Sequence, residues 1–274
     1  MFIQVLKSII LGIVEGVTEW LPVSSTGHML IVDEFMHLDV SAEFKEMFFI
    51  LIQFGAVAAV ILLFWRRMLP LEFNKGIKLK KQTVSLWFKV AVACIPGAVV
   101  TLFFDDVIEK YLHTPQVIAS ALLFYGFAFI LVELKTKERS VKTQSLEEVS
   151  YTQALAIGLF QVLSIIPGTS RSGATIIGAL IIGVSRVAAA EFTFFLAVPV
   201  MLGMSSIKLI DFGFSFSSAE LVVLAAGMLT SFAVSLAVVR FLIGYVGKKD
   251  FRLFGYYRIV LGVIILVLFG VQYL

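Results

Sequence analysis

Apolar residues run through this chain in long blocks, with the polar residues bunched between them. A helix needs roughly 20 mostly apolar residues to cross a bilayer. Six stretches meet that length: 48–65, 83–104, 116–134, 186–207, 219–243 and 254–273. Two further apolar regions, 2–36 and 151–184, are interrupted midway by Pro22 and by Pro167-Gly168. Proline removes a backbone donor and clashes with the preceding turn. Each of these regions therefore predicts a broken span or a re-entrant hairpin. The pattern as a whole predicts an all-α polytopic membrane protein with a single integral membrane domain over 1–274.

Composition narrows this further. Of 274 residues, 59% are hydrophobic and only 15% charged, where a soluble domain has about a quarter charged. No sizeable soluble domain fits. The formal net charge of +3 reads as a loop bias rather than a nucleic-acid surface, so no nucleic-acid partner is expected. Cys94 is the one cysteine and lies in an apolar run, which excludes an intrachain disulfide and predicts a packed small hydrophobe. Residues 1–11 resemble a signal peptide only superficially: no small-residue cleavage site follows, and the run leads straight to Glu15 and Glu19.

Basic residues orient the spans, because cytoplasmic loops carry excess Lys and Arg. They concentrate at 66–82 (Arg66, Arg67, Lys75, Lys78, Lys80, Lys81), at 135–150 (Lys135, Lys137, Arg139, Lys142) and at 244–252 (Lys248, Lys249, Arg252). The segments around Asp105, Asp106, Glu109 and Lys110, and around Lys208 and Asp211, are poorer in them. With the three basic loops inside, region 151–184 must begin and end inside, so it is re-entrant. By symmetry the first broken region enters and leaves from the outside, which also places the catalytic side outward, with 37–45 external. The expected architecture is six transmembrane helices plus two re-entrant helical hairpins.

The two broken regions echo one another. Gly12 and Gly158 are 146 residues apart, and the same offset relates Glu15 to Gln161, Ser24 to Ser170, Thr26 to Ser172 and Gly27 to Gly173. Pro22 and Pro167 are 145 apart, as are Glu46 and Glu191. Each half reads as one hairpin and three spans, and an odd number of spans inverts the second half. The expectation is two inverted-topology repeats, about 1–134 and 151–274, joined by a cytoplasmic connector at 135–150.

Candidate chemistry concentrates at the two breaks. A Ser or Thr shortly after each proline is a natural N-cap, so each tip presents a helix N-terminus suited to an anion. Arg171 adds a fork-shaped cation suited to phosphate; it could also, or instead, pair with a Glu. Hydroxyls of Ser24, Ser25, Thr26, Thr169, Ser170, Ser172 and Thr175, with Gly27 and Gly173, are candidates to bind phosphate oxygens or simply to cap helices. Glu15 and Glu19 share a helix face at i,i+4. They could hold a divalent cation, magnesium or calcium, or shuttle protons. His28 shares the polar tip and is a candidate for acid–base or nucleophilic duty. His37 and His113 lack such company. Glu46, Glu191 and Arg258 read as structural ion pairs or pocket rim.

The run Glu15-Gly-Val-Thr-Glu-Trp-Leu-Pro-Val-Ser-Ser-Thr-Gly-His28, with Pro167-Gly-Thr-Ser-Arg-Ser-Gly-Ala-Thr175, resembles bacterial undecaprenyl-diphosphate phosphatases of the bacitracin-resistance type. The likeness covers essentially the whole chain. It implies a hydrolase that converts the C55 isoprenyl diphosphate carrier to the monophosphate, recycling it for envelope polymers and conferring bacitracin resistance. It also implies a divalent cation and leading roles for Glu15, Glu19, Ser25, His28 and Arg171. The partners expected are a polyprenyl diphosphate lipid and the bilayer. Small-residue faces at 223–237 and 262–270 leave a homodimer open. Ser25 is the preferred nucleophile, its proton going to His28 or Glu19; phospho-His28, or water on a Glu-bound metal, are alternatives. The rival class is a transporter or flippase of lipid phosphates or anions, since inverted repeats with broken helices are common there. A carrier has less need of Ser25, His28, Glu15 and Glu19 together.

Overall fold

The computed structural model describes residues 1–72, 78–136, 140–213 and 215–270, with side chains at all of these but 104–110. Among the described residues there are ten α-helices: α1 (Phe2–Thr18), α2 (Ser25–Phe35), α3 (Ala42–Met68), α4 (Lys81–Leu112), α5 (Pro115–Thr136), α6 (Tyr151–Val162), α7 (Arg171–Ile181), α8 (Arg186–Phe212), α9 (Ser218–Val246) and α10 (Arg252–Gly270). A short hairpin, β1 (Leu71–Glu72) with β2 (Lys78–Leu79), links α3 to α4.

Six helices, α3, α4 (over Lys81–Phe103), α5, α8, α9 and α10, are long and apolar enough to cross a membrane. They cover the six expected spans, the last of them as far as residue 270; 271–273 lie outside the described residues, as do Lys75, Lys137 and Arg139 of the expected basic loops. One boundary differs. The α4 helix continues to Leu112, so 105–110 extend a helix instead of forming a loop. Cys94 packs against the apolar core, as its surroundings suggest.

Both broken regions are helix–turn–helix units. The α1 helix ends at Thr18, before Pro22, and α2 starts after Ser24; α6 ends at Val162, a 3-10 turn covers Leu163–Ile165, and α7 starts after Ser170. The two halves share an order of elements. The α2 and α7 helices both have 11 residues, and α3 and α8 both have 27. Packing is crosswise: α1 lies on α9 and α6 on α4, while α3 meets α8 and α5 meets α10. Two glycines 146 residues apart permit the first two contacts. A Cβ at Gly12 would come within 2.5 Å of the Gly227 carbonyl oxygen, and one at Gly158 within 2.3 Å of the Ala93 carbonyl oxygen. Small residues allow helix backbones to approach this closely without a hydrophobic driving force.

Several charged side chains away from the tips are paired across the fold. Arg67 bonds Glu191 and Glu147, Lys208 bonds Glu46, and Arg186 grips the buried Glu133 with its Nε and Nη2. Glu46 and Glu191 are thus in ion pairs, as the sequence suggests.

Candidate active site

The two interhelix turns meet inside the protein, and the local chain geometry explains how. Ser24 caps α2, its Oγ accepting from the Gly27 N–H at 3.3 Å; Ser170 caps α7, its Oγ accepting from the Gly173 N–H at 3.2 Å. Both caps sit at positive φ, 73° and 70°, and they are the only non-glycine residues so placed among the described residues. That conformation is costly for a residue with a side chain, and such strain gathers at functional sites. Gly168, at φ +90°, supplies the remaining reversal at the second tip; a Cβ there would lie 2.4 Å from the Ile118 carbonyl oxygen.

Polar contacts run from tip to tip. Glu19, at the end of α1, is the hub. Its Oε2 accepts from the Ser25 hydroxyl at 2.9 Å, and its Oε1 accepts from Arg171 Nη2 at 3.0 Å. Ser172 Oγ donates toward the Glu19 and Leu21 carbonyls at 3.2 and 3.3 Å. Arg171 Nη1 donates to the Thr193 carbonyl at 3.1 Å, and its guanidinium lies 5.8 Å from the Trp20 ring centre. Thr175 shares a 2.8 Å bond with the Thr193 hydroxyl and donates to the Arg171 carbonyl. Glu15 is one turn before Glu19, buried, and within electrostatic range of both Glu19 and Arg171. Of the hydroxyls singled out in the sequence, Ser25, Ser172 and Thr175 join this network. Ser24 and Ser170 chiefly cap, Thr169 is buried at the second tip, and Thr26 is exposed.

His28 faces a different partner. Its Nδ1 lies 2.7 Å from the Ser24 carbonyl and its Nε2 lies 2.7 Å from the Tyr257 hydroxyl. A carbonyl only accepts, so Nδ1 carries the proton and Nε2 receives the Tyr257 O–H. The two rings are nearly parallel, 8° apart, with centroids at 5.5 Å. The described hydrogen bond of Ser25 is therefore to Glu19, not to His28.

Arg258 overturns an expectation. It is in no ion pair among the described residues and is not on a rim. It is fully buried, donating from Nη1 to the Pro22 carbonyl at 3.2 Å and from Nη2 to the Gly168 and Thr169 carbonyls at 2.7 and 2.8 Å. One guanidinium therefore holds the backbone of both tips. Gly173 leaves room for it: an added Cβ would stand 3.2 Å from Arg258 Nη1. Its partners are backbone carbonyls, which no sequence pattern displays. The available signal was its rarity, since an arginine in a span is functional by default. Tyr257 and Thr193 were missed for the same reason: each joins the site through the fold, not through a motif.

Several buried polar atoms here lack a hydrogen-bond partner, among them Glu15 Oε1, Arg171 Nε and Arg258 Nε. Buried polar groups are almost always satisfied, and exceptions call for an explanation such as an ion. Guanidinium N–H groups and a carboxylate oxygen buried at the tips are the kinds of group a phosphate and a cation would use. Among the described residues, no three of His, Cys, Asp and Glu gather to hold a metal unaided.

Alongside lies a cavity of about 390 Å³, lined by Val17, Leu21, Val23, Phe254 and Val260 and edged by His28 and Tyr257. It is apolar where the tips are polar.

Comparison with known proteins matches this sequence to a family. The model of the family described as "Bacitracin resistance protein BacA" matches residues 8–264. A protein of Enterococcus faecalis named undecaprenyl-diphosphatase is 61% identical over 269 residues, covering 97% of this chain and 98% of the relative. Relatives of the same name in Lachnoclostridium phytofermentans and Desulfitobacterium hafniense are 53% and 50% identical, over 96% and 98% of this chain. With two capped hairpin tips joined through Glu19, Arg171 and Arg258, and with a family match over nearly its whole length, the chain belongs to the BacA family.

Proposed function

We infer that the protein hydrolyses undecaprenyl diphosphate to undecaprenyl phosphate and inorganic phosphate, recycling the lipid carrier. The observation that carries the mechanism is the chain Ser25–Glu19–Arg171 across the two hairpins. Ser25 Oγ attacks the terminal phosphorus and passes its proton to Glu19 Oε2. The bond from phosphorus to the bridging oxygen breaks, and undecaprenyl phosphate leaves with that oxygen. Water then cleaves the phosphoserine, restoring Ser25 and releasing phosphate; His28 Nε2, once the Tyr257 hydroxyl swings away, takes the water's proton. Arg171 and Arg258, each with an unpartnered Nε, and the N-terminus of α7 neutralise charge on the transferring phosphoryl oxygens. Ser172, Thr175 and Ser170 set the tip around it, with Gly27 and Gly173 keeping the approach clear.

A divalent cation fits this donor set. Glu15 and Glu19 would hold it through carboxylate oxygens, and Glu15 Oε1 is buried with no other partner. Substrate oxygens and water would complete its ligands, as magnesium commonly arranges. When bound, the cation offsets diphosphate charge.

The two halves are read as inverted repeats, about 1–134 and 151–274, with the tips meeting at membrane depth and the site opening outward. The substrate's tail lies in the apolar cavity beside His28. Filling that cavity with Val260→Trp is expected to raise KM for the C55 substrate about tenfold while leaving kcat, and turnover of a C15 diphosphate, near wild type. An unchanged KM for the C55 substrate would remove the tail from that cavity.

The transport reading accounts for Arg171 and the helix tips but gives Ser25 no task. Purified protein in detergent separates the two, since no gradient exists there. Phosphate release that falls with Ser25→Ala supports the hydrolase; wild-type release from that variant would exclude Ser25 as nucleophile.

A further inference from the structure

A cationic cavity lies where α9 ends and α10 begins, meeting the apolar cavity beside His28 at Leu253 and Tyr256. Its volume is about 550 Å³, and Arg186, Lys248, Lys249 and Arg252 line it with Tyr245 and Tyr256. We propose that it binds the phosphate head of an anionic phospholipid of the surrounding bilayer.

Charge supports this reading. Arg252 Nε bonds Asp250 at 2.8 Å, and Arg186 bonds Glu133 through Nε and Nη2. Among the described residues, Lys248 and Lys249 have no carboxylate partner, and both are exposed. Four cations thus face two carboxylates. A lysine just past the end of α9 would complement that helix's negative end, and basic loops are usual on the cytoplasmic side. Neither effect requires a concave arrangement drawn from three helices, α8, α9 and α10, with further Arg N–H groups left over. Basic pockets between transmembrane helices are suited to lipid phosphates.

The setting selects a lipid over a free ion. Leu253 and Tyr256, on the same face of α10, are 58% and 55% exposed and form the rim. They lie within the first two turns of a helix apolar enough to span, so the rim faces hydrocarbon and the cationic cavity sits at its edge. Tyr245 and Tyr256 place aromatic rings with polar tips at that boundary, as interfacial tyrosines do. A head group enters from the side while its chains stay in the bilayer.

The test uses the full chain in nanodiscs of phosphatidylcholine, with and without added phosphatidylglycerol, read by melting midpoint and by the lipid retained in native mass spectrometry. Phosphatidylglycerol is expected to raise the midpoint of the wild type. Lys248→Gln/Lys249→Gln should lose that increment and bind phosphatidylglycerol on the order of tenfold more weakly, while melting like the wild type in phosphatidylcholine alone. Lys78→Gln/Lys81→Gln, in a different basic loop, should keep the increment. The proposal is overturned if the first variant keeps the increment, if the second loses it equally, or if inorganic phosphate alone protects the wild type as well as the lipid does. Phosphate release from undecaprenyl diphosphate by Lys248→Gln/Lys249→Gln should match the wild type.

Discussion

Replacing Ser25 by Ala is expected to lower kcat for phosphate release by about three orders of magnitude, with little change in KM or melting temperature. The reason is the 2.9 Å hydrogen bond to Glu19 Oε2: it aims the hydroxyl and provides a base, and no other side chain is described in contact with that oxygen. Glu19→Gln should fall about as far, on the order of a thousandfold, since a general base is worth about 10²–10⁴ and the amide also weakens the tie to Arg171. Residues that act as one unit are strongly non-additive. The double variant Ser25→Ala/Glu19→Gln should therefore be no slower than the worse single one. Multiplicative losses in steady-state phosphate assays would mean that the two residues act independently.

The second large effect belongs to Arg258. Arg258→Met keeps much of the volume but leaves the Pro22, Gly168 and Thr169 carbonyls buried without this donor. Losing charged hydrogen bonds to buried acceptors costs about 1.5–3 kcal/mol each. Because the three share one side chain and do not add fully, a total of roughly 3–5 kcal/mol is expected. The variant should melt markedly lower in detergent and lose nearly all turnover. Gly173→Ala gives a milder probe. Its methyl would stand 3.2 Å from Arg258 Nη1 and 3.3 Å from Ser170 Cβ, so kcat should fall while the melting temperature changes by only a few degrees. If Arg258→Met melts like the wild type, Arg258 does not hold the tips together.

Much of this was legible in the sequence, for identifiable reasons. The six spans show because lipid demands about 20 apolar residues whatever the tertiary contacts. The two breaks show because proline acts locally, and the caps at Ser24 and Ser170 follow from hydroxyl chemistry within three residues. Glu15 and Glu19 could be placed on one face because they share a helix. The partnership of Glu19 with Ser25 could not be assigned over that with His28, because the chain turns between them and six residues across a break have no fixed geometry. Arg258 was out of reach for a different reason: it lies 90 residues beyond the second tip and over 230 beyond the first, and it reads the backbone of both. Tyr257 reaches His28 across 229 residues. Packing distances of that kind are set by the crosswise pairing of the halves, not by any motif.

The most direct test of the account is phosphate release from undecaprenyl diphosphate by purified protein in detergent with magnesium, the wild type beside Ser25→Ala. Steady release by the wild type and about a thousandfold slower release by the variant are expected, both folded by melting. Equal release by the two, or none by a folded wild type, would contradict it.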